Sequence, residues 1–106
     1  MTVDSDKNGF KARVREWSEK LGVEIRSIAI RSMSKKWASC SSTGIMTFDR
    51  DLLVLPADLQ DYVIVHELVH FHVPNHGRLW KSLMRAHLGD YERQKERLEK
   101  IQSDKS

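Results

Sequence analysis

Val63–His76 reads VIVHELVHFHVPNH, and within it His66, Glu67 and His70 form an H-E-x-x-H pattern, with His76 six residues beyond His70. Positions four apart share one face of a helix, so His66 and His70 can present their imidazoles to a single ion. Glu67 falls beside them, placed to hold a water on that ion without ligating it. Pro74 turns the chain before His76 and brings a third nitrogen within reach. Three protein ligands leave one position of a tetrahedral zinc open, the arrangement of a catalytic rather than a structural site.

Working outward, Ala57–Phe71 is expected to be the helix that carries the pattern. Ile64, Leu68 and Phe71 share one face, while Leu59, Val63, Val65 and Val69 fill much of the rest, so the helix should be buried nearly all round. Ionisable groups on a buried helix are costly unless compensated, and a metal ion is the most economical compensation. Downstream, Asn75 is expected to cap a helix over Asn75–Leu88 with an apolar stripe at Leu79, Trp80, Leu83, Met84 and Leu88. Gly89 and Asp90 break it, and Tyr91–Ile101 reads as a last, charged helix.

Upstream, Pro56 ends a short apolar run, Leu52–Leu55, and starts the central helix. Trp37–Cys40 and the strand beginning at Ile45 pair as a hairpin around Ser41–Gly44. The β-branched run Val23–Met33 reads as a strand with a bulge near Ser27. Phe10, Val14, Trp17 and Leu21 form the stripe of a first amphipathic helix that Gly22 stops. The expectation is one domain over residues 10–102 with flexible ends at 1–9 and 103–106. Its class is α+β, a small, mostly antiparallel sheet packed on the active-site helix, with further helices N- and C-terminal.

With 106 residues the chain suffices for one core, and its 40% hydrophobic and 31% charged content is that of a globular domain. No apolar run marks a signal peptide or a membrane span, and Cys40 alone excludes an internal disulfide and a cysteine-rich zinc finger. A cytoplasmic monomer without membrane contact is expected. The net charge is +3, and much of the basic charge lies in Arg31–Lys36 and Arg78–Lys100. Interleaved with Glu it reads as solvated surface; the sharper alternative is contact with nucleic acid or an acidic partner.

The chemistry follows from the pattern. One Zn2+ on His66, His70 and His76 activates a water and polarises a carbonyl, and Glu67 serves as general base toward a peptide or protein substrate. His72 points to another side of the helix and is expected to be exposed, not a ligand. His87 suits the negative end of the helix after Pro74. Cys40 reads as a small buried residue, and Tyr62 as core packing, with donation to an oxyanion as its alternative role.

Trp37-Ala38-Ser39-Cys40-Ser41-Ser42 with Gly44, Asp61–His70, Pro74-Asn75-His76 and Trp80 together resemble the YgjP-like metallopeptidase family, from about Arg31 to Arg97. More distantly the pattern is similar to SprT-like and Wss-like zinc proteases and to the single-domain minigluzincins, some of which are latent. The resemblance implies a zincin-like fold with a third ligand from a following helix. It carries metal-ligand roles onto His66, His70 and His76 and the general-base role onto Glu67. It further implies that an edge strand of the hairpin, near Ile45, Met46 and Thr47, holds an extended peptide by strand addition. Ala38 stands where the family usually carries glycine.

Three alternatives compete. The spacing from His66 to His76 is also that of metzincins, but Val73 replaces their glycine and no Met-turn follows Met84. A zinc-stabilised binding module would close the fourth position with Cys40, Glu92 or Glu96. A DNA-associated protease of SprT-like type would bind DNA in a salt-dependent way.

Overall fold

A computed structural model describes residues 3–105, with side chains from 7 to 102. Helix α1 (Val3–Leu21) leads into strands β1 (Ser27–Arg31), β2 (Ala38–Cys40) and β3 (Ile45–Asp49). A 3-10 turn (Arg50–Val54) follows, then helices α2 (Ala57–Val69), α3 (Arg78–Leu88) and α4 (Glu92–Lys105).

The stripe on α1 buries Phe10 and Val14 in the core, with Trp17 and Leu21 packed partly against it. The helix starts at Val3, so most of the segment expected as a flexible end is helical; residues 1–2 lie outside the described residues. Acidic residues near a helix N-terminus complement its dipole, and the sequence has Asp4 and Asp6 in the first turns. Gly22, at φ 69°, ends the helix as expected. Val23 N donates to Ser18 O at 2.9 Å and Gly22 N to Glu19 O at 3.3 Å, the paired bonds of a Schellman motif. At the other end of the chain α4 runs to Lys105, through most of the expected flexible tail.

The strand expected over Val23–Met33 is confined to Ser27–Arg31. The change of phase near Ser27 marks its beginning, not a bulge, while Val23 and Ile25 pack on the core from the connecting segment. The sheet order is β1-β3-β2. The hairpin of β2 and β3 is antiparallel, with Ser39 opposite Thr47, and β1 joins β3 in parallel, with Ile28 opposite Met46, so the sheet is mixed. β3 is therefore central. Its N–H and C=O groups are spent on both neighbours, so Ile45, Met46 and Thr47 do not form the edge expected to receive a peptide. The free edge beside the hairpin turn belongs to β2. Ala38 lies in β2 without positive φ, so its Cβ is accommodated where the family usually has glycine.

Met46 and Phe48 project from β3 into the core and are fully buried; the Phe48 ring meets Phe10 edge-on at 4.9 Å. Against that face lies α2, with Leu59, Ile64, Val65, Leu68 and Val69 all fully buried, as expected for a helix apolar nearly all round. It ends at Val69, two residues before Phe71.

Gln60, a polar residue buried in this helix, closes the 3-10 turn. Its Nε2 donates toward Leu52 O, Leu53 O and Leu55 O at 3.0–3.1 Å, and its Oε1 accepts from Arg13. Arg13 also pairs with Asp61, which accepts from Trp17 Nε1 at 3.0 Å and so ties α1 to α2. Gln60→Met keeps the volume but removes the donor that Leu52 O, Leu53 O and Leu55 O share, leaving Leu52 O with Leu55 N. It is expected to cost roughly 1–3 kcal/mol in urea unfolding, and an unchanged midpoint would mean that water replaces the amide.

Candidate metal centre

The buried environment of α2 fixes the directions in which His66 and Glu67 leave it. His70 is the residue after the helix, still in helical conformation at φ −64° and ψ −19°. Beyond it the chain turns, with Val73 N donating to Val69 O at 2.9 Å. Asn75 does not cap α3. Its Oδ1 accepts from Gly77 N at 3.0 Å, a local turn that Asn favours, and Gly77 takes the cap position. His76 therefore comes from the loop before α3 and not from the helix itself.

That loop folds His76 back onto α2. His70 Nε2 lies 2.9 Å from His76 Nε2, and His66 Nε2 lies 3.2 Å from it. Two imidazole nitrogens on one tetrahedral zinc, each about 2.0–2.1 Å from the ion, lie about 3.3 Å apart. The observed spacings are close to that value. His70 Nδ1 is 3.1 Å from Val73 O; facing a carbonyl, it must donate, which leaves the Nε2 lone pair of His70 directed at the other rings. His66 Nδ1 faces Glu67 Oε1 at 3.5 Å, which favours the same tautomer. A single proton on His76 Nε2 can satisfy one of these lone pairs, not both, and a cation among them satisfies all three. The donor set fits a divalent metal. Among the described residues the group able to hold one consists of His66, His70 and His76; Cys40, Glu92 and Glu96 do not join it.

Trp80 is the floor of the group. Its ring lies 5.2 Å from His66 and 4.6 Å from His76, both edge-on, and stacks on His70 at 5.9 Å. The spacing on α3 marks Trp80 as apolar, yet only the return of the loop after Pro74 reveals that it supports three imidazoles.

Glu67 is mostly buried beside them. Burial pushes its carboxyl up, but the His66 ring, the Cys40 thiol and His70 outweigh that and hold it below the ordinary value. Cys40 is pushed up to about 11, first by burial and then by Glu67, so its thiol stays protonated. Tyr62 is pushed up to about 12, chiefly by burial. Its ring stacks with Tyr91 at 6.1 Å and lies 5.9 Å from His66. His72 is exposed and donates from Nε2 to Leu21 O at 2.7 Å, linking the ends of α2 and α1. His87 meets Trp17 edge-on at 6.4 Å. Neither approaches the three-histidine group. Alongside Glu67 opens a cavity of about 230 Å³ between α2, the start of β2 and α4, lined by Trp37, Tyr62, Val63, Glu67 and Leu98 among others.

An α+β scaffold with this centre on its buried helix has the design of a metallopeptidase domain, a class of hydrolase. The family model of the YgjP-like metallopeptidase domain matches residues 4–101, and the chain belongs to the YgjP-like family. The fold is similar to that of the metallopeptidase zymogen of Methanocaldococcus jannaschii jannalysin, with a TM-score of 0.75 and 29% identity, covering 89% of this chain and 95% of that one. It is also similar to the metallopeptidase zymogen of Pyrococcus abyssi abylysin, with a TM-score of 0.72 and 22% identity, covering 90% and 93%. None of the curated proteins matches the chain. Among the described residues no helix is long and apolar enough to cross a membrane.

Proposed function

We propose that this chain is a zinc-dependent endopeptidase in which His66, His70 and His76 hold one ion and Glu67 is the general base. The observation that carries this reading is the convergence of three Nε2 atoms with the far nitrogen of His70 already engaged by Val73 O. Zinc bound there supplies Lewis acidity, which lowers the pKa of water toward about 7 and polarises a carbonyl.

The chain's own groups do the rest. Glu67, held ionised, accepts the proton of the attacking water on its carboxylate and returns it to the leaving amine. The Cys40 thiol, kept protonated, donates to that carboxylate and steadies it. Trp80 fixes the imidazole planes. Tyr62 keeps its hydroxyl proton and is the candidate donor to a developing oxyanion, alongside its packing on Tyr91.

A latent form of the same peptidase is a second reading. The jannalysin and abylysin structures are zymogens, and α4 leans over the cavity, with Gln102 Nε2 donating to Lys35 O. Cleavage of an unstructured peptide mixture decides between them. Activity that chelation removes and one equivalent of zinc restores supports the first reading; no cleavage by zinc-loaded protein supports the second.

A further inference from the structure

The Arg31–Lys36 segment is unaccounted for by the metal centre, and it borders a second cavity. This one, of about 430 Å³, lies among Arg31, Ser34, Lys35, Lys36, Ser39 and Thr47. Ser39 and Thr47 are cross-strand partners and share one face of the sheet. Ala38, the next residue on β2, projects to the opposite face and lines the cavity beside Glu67. The two cavities therefore flank β2, one on each face, and Lys36 lines both.

Between them runs the outer edge of β2, to which no strand pairs among the described residues. Trp37 O accepts from Asp49 N and Ser41 N donates to Ile45 O, so the odd positions bond inward to β3. By the alternation of an antiparallel ladder, Ala38 and Cys40 turn their N–H and C=O groups outward. An extended chain paired to that edge must alternate its side chains between the two faces. The residue level with Ala38 enters the cavity beside Glu67, and the residues on either side of it lie on the opposite face, where the second cavity opens.

The two walls differ in chemistry. Trp37, Val63 and Leu98 give the first an apolar wall, alongside Lys95 and Glu99, whose charges are opposite. At about 230 Å³ it falls below the roughly 300–1,000 Å³ of small-molecule sites and suits one side chain. The second carries Lys35 and Lys36 just before β2, with Arg31 farther off across the sheet at the end of β1. The described ion pairs of lysine and arginine are Arg13–Asp61 and Arg97–Asp58, and none of Arg31, Lys35 or Lys36 takes part in one. Nucleic acid would meet the same charge, but its backbone carries no alternating N–H and C=O groups at strand spacing to match those of β2, whereas a peptide backbone does.

Resting on the peptidase reading above, we propose that the β2 edge selects an extended peptide with an apolar residue beside Glu67 and acidic residues at the adjacent positions. Zinc-loaded Glu67→Gln protein tests this by fluorescence anisotropy with two labelled peptides, each with a central Leu flanked by either Glu or Lys. At low ionic strength the Glu peptide should bind about tenfold tighter, the sum of two exposed charge pairs. The ratio should fall to within about twofold in Lys35→Gln/Lys36→Gln protein, and likewise in about 1 M salt, where charges more than about 3 Å apart are screened. Equal affinity for the two peptides overturns the proposal, as does no binding of either, or a DNA duplex that displaces the Glu peptide from this site at lower concentration. Selective binding without cleavage by the wild-type protein would remove the peptidase reading and leave the edge assignment standing. Cleavage without selectivity would do the reverse.

Discussion

Glu67→Gln protein is expected to bind zinc as the wild type does while its peptide cleavage falls by about 10²–10⁴-fold, the usual contribution of a general base. The change is isosteric and removes only the ability to take a proton. Glu67 stands outside the three-histidine group, with its carboxylate 3.5 Å from His66 Nδ1. Metal content and turnover should therefore separate. Zinc content by atomic absorption and cleavage rate on one preparation are sufficient. Loss of zinc in the variant would make Glu67 a ligand, and undiminished cleavage would remove it from the chemistry.

The second large effect is on metal affinity. His76→Ala should weaken zinc binding by more than about 100-fold, since even the loss of a hydrogen-bond partner of a ligand costs about 10–100-fold. The fold should survive, because His76 is exposed and precedes α3. His72→Ala is the control: it removes an equally exposed imidazole whose contact is Leu21 O, and it should leave affinity within about twofold, as surface changes usually do. Competition with a chromophoric chelator measures both. Equal affinities in the two variants would reduce the site to His66 and His70.

The metal centre is legible in the sequence because its parts are local. His66, Glu67 and His70 lie within five residues on a helix whose apolar neighbours announce its burial, and Pro74 fixes a turn before His76. The helices expected over Phe10–Leu21, Ala57–Phe71 and Asn75–Leu88 are legible for the same reason, since burial imposes a period on residues close in sequence. Asn75 misleads because its side chain has two local options, a helix cap or a two-residue turn, and the return of His76 toward α2 selects the second.

Strand order is not legible. Alternation marks Ile45–Phe48 as a strand but says nothing of its neighbours, and the pairing of β1 with β3 across residues 27–49 makes β3 central instead of an edge. The early start of α1 escapes for the opposite reason: the apolar stripe begins only at Phe10, and residues 3–9 carry no helical period in the sequence. The wall that α4 adds to the cavity is equally hidden, because Leu98 and Lys95 come to line it with Glu67 only through tertiary packing.

Zinc K-edge X-ray absorption of the wild-type protein loaded with one equivalent of zinc tests the centre most directly. The arrangement of His66, His70 and His76 predicts nitrogen and oxygen scatterers alone at about 2.0–2.1 Å, with the outer-ring signal of three imidazoles. Sulfur at about 2.3 Å would place Cys40 on the metal and close the position that catalysis needs, and fewer than three imidazoles would remove His76 from the site.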